Sequence, residues 1–269
     1  MNRRNFIRVA TSSAGGLMLA FHLPGCSKTK LPGNTGLPTE INAWLVIDPD
    51  NSVTVRVAKS EMGEGIFTSL PMIVAEELGV EWDQVKTEYA DANRNLKEDS
   101  VYGSMSTGGS RSVRMGRPAL QLAGATAREQ LIKAAATRWE TDPKYCVASG
   151  GKVSWNGKSF DYGELAADAA LIDVGDVTIK EPAAYELIGR PTLRVEVPLK
   201  VNGSAIYGMD VRLDGMVYAA IKHCPVIGGT VESYNDGSIQ DHPGFIQVIN
   251  LETAVAVVAD HYWQAQTAV

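Results

Sequence analysis

The stretch that decides the fold is residues 60–79, SEMGEGIFTSLPMIVAEELG. Its second half has apolar residues at helical spacing, and Gly79 is placed to end the helix. The apolar positions are Phe67, Leu70, Ile73, Val74 and Leu78. Before this stretch, apolar and polar residues alternate over 53–57, which is typical of a half-buried strand. A loop containing Gly63 and Gly65 therefore joins a strand to a helix.

Other elements follow from equally local signals. We expect strands at 43–47 and 85–89, a polar loop without periodicity at 91–106, and a long helix at 117–139. Asn156-Gly157 predicts a hairpin over 152–160. Asp161 and Glu164 form a capping box for a short helix ending near residue 170.

The texture changes after residue 182. Pro191 and Pro198 interrupt a polar, extended connector. Beyond it we expect strands at 205–211, 216–222, 230–234, 245–250 and 254–259, then a helix from His261. The sequence thus predicts an α+β (mixed α/β) fold, with one domain at 39–190 and a second at 191–269.

The N-terminus carries a targeting pattern. Arg3-Arg4-Asn5-Phe6-Ile7-Arg8 precedes an apolar run at 9–21, which is too short to span a bilayer. It resembles a twin-arginine signal peptide at 1–25, so we expect folded export by the twin-arginine machinery to the periplasm. Residues 23–26, Leu-Pro-Gly-Cys, resemble a lipoprotein site, and whether Cys26 is lipidated as a membrane anchor stays open. Residues 26–38 read as a linker.

Composition and charge exclude several classes of protein. The chain has 269 residues, 45% hydrophobic and 21% charged, as in folded proteins. A net charge of −6 argues against nucleic acid as a partner. The three cysteines form no C-x-x-C pair, so any metal should arrive inside a cofactor. Cys146 and Cys224 could pair, although two free thiols are favoured.

A second glycine-rich loop spans 103–114 and contains Thr107-Gly108-Gly109-Ser110-Arg111-Ser112. Its backbone N–H groups, hydroxyls and arginines (Arg111, Arg114) suit a phosphate or another anionic cofactor group. Neither loop has the phosphate-loop or dinucleotide fingerprint, and a plain turn is the alternative. Glu76 and Glu77 are expected to be exposed. His223 and Cys224 should point to opposite faces of a strand.

Four blocks together carry a family resemblance. They are EMGEG with FTSLPM and AEEL at 61–78, TGGSRSVR at 107–114, GSAIYGMDV at 203–211 and VAVVAD at 255–260. They resemble the molybdenum hydroxylase (xanthine dehydrogenase/aldehyde oxidase) large subunits, in particular isoquinoline 1-oxidoreductase β subunits and periplasmic aldehyde dehydrogenases. The resemblance implies a partial molybdopterin-binding domain at 39–190 and an α/β hammerhead-like domain, truncated at its C-terminus, at 191–269.

The resemblance also implies a function. It is the hydroxylation or dehydrogenation of aldehydes or N-heterocyclic aromatics, with oxygen taken from water and electrons passed to an iron–sulfur small subunit or a cytochrome. The implied cofactor is molybdenum–molybdopterin, with the cytosine dinucleotide form as one option. The implied cofactor-binding residues are Gly63, Glu64, Gly65, Gly108, Gly109, Ser110, Arg111 and Ser112.

Two departures from the family pattern matter. Glu64 stands where the family usually has Gln, so we expect it to be protonated or paired with Arg111 or Arg114. The family's catalytic Glu lies in a later part of the large subunit and has no match here, so no catalytic residue is assigned. The chain alone is therefore not expected to be a complete enzyme, and a non-catalytic exported binding or structural module is the alternative.

Overall fold

The computed structural model describes residues 36–269, which form two compact units that divide between Pro198 and Leu199. The sequence-based boundary at 190/191 lies shortly before this division. The signal peptide, Cys26 and most of the linker lie outside the described residues. No helix in the described part is long and apolar enough to cross a membrane.

The first unit is built on a four-stranded sheet in the order β1-β2-β3-β4. The strands are β1 (Thr39–Asn42), β2 (Leu45–Ile47), β3 (Val53–Val57) and β4 (Val85–Tyr89). The first three pair antiparallel, whereas β3 and β4 are parallel. A parallel pair needs a crossover connection, and helix α1 (Ile66–Leu78) supplies it. The predicted strand–loop–helix unit is therefore confirmed.

The helices of the first unit depart from expectation in two places. The segment 91–106, expected to be a loop, contains α2 (Ala92–Lys97), whose cap Asp91 accepts a hydrogen bond from the Asn93 N–H. The long helix α3 (Ser112–Trp139) starts five residues before the expected residue 117, and Pro118 lies inside it. Consequently the second glycine loop leads directly into the N-terminus of α3.

A second, three-stranded sheet packs beside α4 (Tyr162–Ala169). Its strands are β5 (Val147–Ser149), β6 (Lys152–Trp155) and β7 (Lys158–Asp161). Asn156 and Gly157 have φ values of 47° and 76°, as a tight hairpin turn requires. The capping box at the start of α4 is also present. The fully buried Tyr162 ties α4 to α1, since its hydroxyl donates to the Leu78 carbonyl at 2.8 Å.

The second unit has a three-stranded antiparallel sheet in the order β8-β10-β9, followed by α6 (Tyr262–Ala268). The strands are β8 (Tyr218–His223), β9 (Phe245–Asn250) and β10 (Ala254–Ala259). A short helix, α5 (Val197–Val201), lies at the division between the units. The mixed helix-and-sheet fold class is confirmed.

Two strands expected in the second unit, at 205–211 and 230–234, are not formed. Residues 205–211 contain only a short 3-10 turn, Gly208–Asp210. Ile206 and Met209 are largely exposed there. A strand is stabilised by a paired neighbour and a buried face, and this segment has neither.

Candidate functional site

The two glycine loops lie side by side. The first glycine loop (residues 60–65) follows β3, and the second (residues 103–114) leads into α3. The Thr107 hydroxyl donates to the Ser60 carbonyl at 2.9 Å. The Lys59 ammonium donates to the carbonyls of Ser104 and Ser106. The structure therefore brings together the two segments that the sequence singled out about 45 residues apart.

The N–H groups of the first loop are already occupied by a carboxylate of the chain itself. Glu61 accepts hydrogen bonds from the N–H groups of Gly63 (2.7 Å), Gly65 (3.0 Å) and Phe67 (3.0 Å). Burial raises the pKa of Glu61, but these three donors and the Arg194 charge outweigh it and hold the pKa below its ordinary value. At Gly63 and Gly65, the backbone donors expected to face the cofactor thus bind Glu61.

Arg194 is a member of this site that the sequence did not reveal. Its guanidinium donates to Glu61 Oε1 at 3.1 Å and to the Gly63 carbonyl at 3.1 Å, and it forms an ion pair with Glu196. It lies in the polar connector, more than 100 residues from the loop it contacts. Only a three-dimensional structure could relate the two, because no motif spacing links them.

Glu64 lies at the exposed tip of the first loop. Its carboxylate accepts from the Met62 N–H at 2.8 Å. The expected pairing with Arg111 or Arg114 is not formed, and Glu64 makes no ion pair with any residue of 36–269. The reason is local, because the carboxylate folds back on its own loop instead of reaching toward α3.

The second glycine loop retains free donors. Gly109 and Ser110 have φ values of 60° and 52°, which turn the backbone immediately before α3. Within residues 36–269, the N–H groups of Gly109, Ser110 and Ser112 have no hydrogen-bond acceptor. The positive end of the helix dipole lies at the same point.

Positive charge surrounds these donors. The Arg111 side chain is exposed, and its Nε donates only to the Gly108 carbonyl, at 3.4 Å. Burial and, after it, the nearby charge of Arg111 lower the pKa of Lys59. Free N–H groups, a helix N-terminus and two cations suit an anionic group such as a phosphate. The role of Gly108, Gly109, Ser110, Arg111 and Ser112 in cofactor binding stays a prediction that this geometry fits.

The expectation of exposed carboxylates on α1 was wrong. Glu76 and Glu77 are 3% and 1% exposed. We call residues 178–196 the strap, because this part of the connector runs along α1 and covers both carboxylates. Glu76 accepts from three consecutive N–H groups of the strap, those of residues 186–188, and Glu77 accepts from the Lys180 N–H and from Arg128.

The described residues include no group of three or more His, Cys, Asp or Glu side chains that could hold a metal ion. Cys146 and Cys224 are both free thiols. No catalytic residue emerges from this part of the chain. The chemistry that these loops can perform is therefore to bind and orient an anionic group.

Comparison with known proteins identifies the family. The model of the molybdopterin cofactor-binding domain matches residues 5–211, a range that includes both glycine loops and Arg194. The chain belongs to the molybdopterin cofactor-binding domain family. Molybdenum–molybdopterin as the cofactor class is thereby confirmed, and so is the resemblance on which it was predicted.

Three characterised relatives are similar along most of the chain. It is 30% identical to the membrane-bound aldehyde dehydrogenase [pyrroloquinoline-quinone] of Gluconacetobacter polyoxogenes, over 96% of this chain and 34% of that protein. It is 31% identical to the beta chain of isoquinoline 1-oxidoreductase from Brevundimonas diminuta, over 81% and 32%. It is 29% identical to a nicotinate dehydrogenase subunit of Pseudomonas putida, over 84% and 20%. The chain thus spans a third of these relatives' length, or less.

Proposed function

We propose that this chain is the N-terminal part of a molybdopterin-dependent oxidoreductase that acts on aldehydes or N-heterocyclic aromatics. Its membership of the cofactor-binding family supports the cofactor. The names of three relatives, an aldehyde dehydrogenase, an isoquinoline oxidoreductase and a nicotinate dehydrogenase, support the substrate class. Aldehydes and N-heterocycles share an electron-poor carbon, which is the atom that would be oxidised.

One observation carries the proposal. The N–H groups of Gly109, Ser110 and Ser112 are free within the described residues and lie at the N-terminus of α3, beside the first glycine loop. In this proposal they bind the anionic part of the cofactor, and Arg111 and Lys59 supply positive charge. The cofactor, when bound, supplies the two-electron redox chemistry.

The overall reaction needs partners beyond this chain. Conversion of R–H and water to R–OH releases two protons and two electrons. We propose that the electrons pass to an iron–sulfur small subunit or a cytochrome, and that the remainder of the large subunit completes the substrate pocket and supplies the catalytic base. The cytosine dinucleotide form of the cofactor is part of the same proposal.

The location of the protein is a further part of the proposal. The Arg3-Arg4 pattern supports export by the twin-arginine route to the periplasm, and Cys26 is the candidate lipid anchor. Cell fractionation of the wild type and of an R3K/R4K variant tests the route, because the variant should stay in the cytoplasm. Metabolic labelling with a fatty acid, with C26S as the control, tests the anchor.

The deciding experiment measures molybdenum and pterin in the protein purified from its native host. Stoichiometric molybdenum with a fluorescent pterin supports the proposal, and aldehyde- or N-heterocycle-dependent dye reduction then identifies the substrate class. A bound quinone without molybdenum would refute it, and the quinone named for one relative makes this outcome worth measuring.

A matched pair of variants tests the second loop. In G109V the new side chain enters a position with φ +60°, with its Cβ 3.4 Å from Arg111 Nε, so the loop must move and the molybdenum content should fall at least tenfold. G175V places the same side chain at φ +65° with no atom within 4 Å, so it controls for backbone strain alone. Equal molybdenum in the two variants would remove the second loop from the site.

A second candidate function is a non-catalytic exported binding or structural module. The specific observation in its favour is that Glu61 already fills the donors of the first loop, while Glu64 adds another carboxylate at its tip. Native protein with neither molybdenum nor pterin would favour this module over the enzyme.

A further inference from the structure

The strap reaches the first glycine loop through one side chain, Arg194. Besides its bonds to Glu61 and the Gly63 carbonyl, the guanidinium lies beside Gly65, where an added Cβ would be 3.6 Å from Arg194 Nε. A single arginine therefore contacts the loop at three successive points of its turn.

Arg194 is itself held from behind. Glu196 pairs with the guanidinium through one oxygen and accepts from the Thr68 hydroxyl at 3.1 Å through the other. Thr68 in turn accepts from the Val195 N–H at 3.0 Å, and both Thr68 and Glu196 are buried. Because Thr68 belongs to the first turn of α1, this chain of bonds fixes Arg194 to the same helix end that the loop enters.

The charges also depend on Arg194. Glu61 and Glu196 are two poorly exposed carboxylates that share this one guanidinium. Without it, Glu61 would keep only its bonds to the loop N–H groups and would face a second negative charge nearby. A poorly solvated carboxylate that loses its cation destabilises the conformation that buries it.

We propose that Arg194 is a positioning residue for the cofactor loop, since it fixes Glu61 and, through Glu61, the backbone of Gly63 and Gly65. This inference rests on the proposed function for its consequence, which is retention of the molybdopterin, whereas the positioning itself is a property of the chain. Arg194 touches the loop and not the reacting atoms, so it acts through Glu61.

Hydrogen exchange in the native protein measures the positioning. In R194M, the amide N–H groups of Gly63, Gly65 and Phe67 should exchange roughly 10- to 100-fold faster, the effect expected when a charge-assisted contact is lost. The matched control is R190M, because Arg190 lies in the same strap and its side chain makes no hydrogen bond or ion pair with any described residue. Its loop amides should exchange as in the wild type.

R194K keeps the charge but not the planar fork, so intermediate protection is expected. It also replaces R194M if that variant does not fold. Wild-type protection of the three amides in the folded variant would overturn the positioning role.

Molybdenum per chain is the second readout. It should fall several-fold in R194M and stay unchanged in R190M. Faster exchange with full molybdenum would overturn the link between the loop and the cofactor. A wild type without molybdenum would refute the proposed function, while the exchange data would still decide the role of Arg194.

Discussion

Replacing Glu76 with glutamine should detach the strap from α1, because this carboxylate is the acceptor for three successive backbone donors. One oxygen accepts from the N–H groups of Leu187 (2.8 Å), Ile188 (3.0 Å) and Glu186 (3.1 Å). The other accepts from the Glu186 N–H at 3.1 Å and from Lys180 Nζ at 3.4 Å. Only 3% of the Glu76 side chain is exposed, so water cannot replace these bonds from the carboxylate side.

The magnitude follows from what glutamine can retain. Its carbonyl can still accept from the strap, but as a neutral group, and its amide nitrogen faces two donors that then have no acceptor. Hydrogen bonds to a charged group contribute about 1.5–3 kcal/mol each, so we expect E76Q to lower the free energy of unfolding by about 2–4 kcal/mol. E181Q, in an exposed part of the strap, should change it by less than about 0.5 kcal/mol.

The effect must depend on pH with a definite sign. Burial raises the pKa of Glu76, but the N–H groups of residues 186–188 and the Lys180 charge outweigh it, so the folded-state pKa lies below the ordinary 4.5. Glu76 therefore contributes stability above about pH 4.5, and this contribution is lost as the pH falls through the lower folded-state pKa.

Urea denaturation of both variants and the wild type between pH 7 and pH 3 tests this. The gap between wild type and E76Q should be largest at pH 7 and should narrow below pH 4.5. A gap of the same size at every pH, or an E76Q protein as stable as E181Q, would refute the reasoning.

The remaining predictions concern packing in the first unit. G124A should lower the free energy of unfolding by about 1–3 kcal/mol, because its Cβ would lie 2.7 Å from the Val74 carbonyl oxygen, whereas G116A meets only ordinary contacts at 3.8 Å and should fold normally in thermal denaturation. R138M should cost about 3–5 kcal/mol in urea, since it removes the cation bound at 2.7 Å to the fully buried Asp168; a loss below 1 kcal/mol would contradict this.

Sequence reasoning succeeded where the signal is local. The alternation of Val53, Val55 and Val57, the turn at Asn156-Gly157 and the left-handed Gly79 each depend on residues within one or two turns of the backbone. For the same reason the strand–loop–helix unit that carries the first glycine loop could be predicted without a structure.

It failed where a partner decides the outcome. Glu76 has the pattern of a solvated helix residue, and only the strap, about 110 residues later, makes it buried. Pro118 suggested a helix start because proline is favoured in the first turn, but the packing of α3 on α1 extends the helix back to Ser112. The apolar residues at 205–211 predicted a strand, and no neighbouring strand pairs with them.

These long-range contacts give the two glycine loops different properties. The first loop is internally complete, since Glu61 fills its donors and Arg194 neutralises Glu61. The second loop keeps its donors and its positive charge free within the described residues. Under the proposed function, an anionic cofactor group therefore binds the second loop, while the first supplies a fixed backbone shape beside it. A carboxylate at position 64 is compatible with that arrangement, because Glu64 bonds to the Met62 N–H of its own loop.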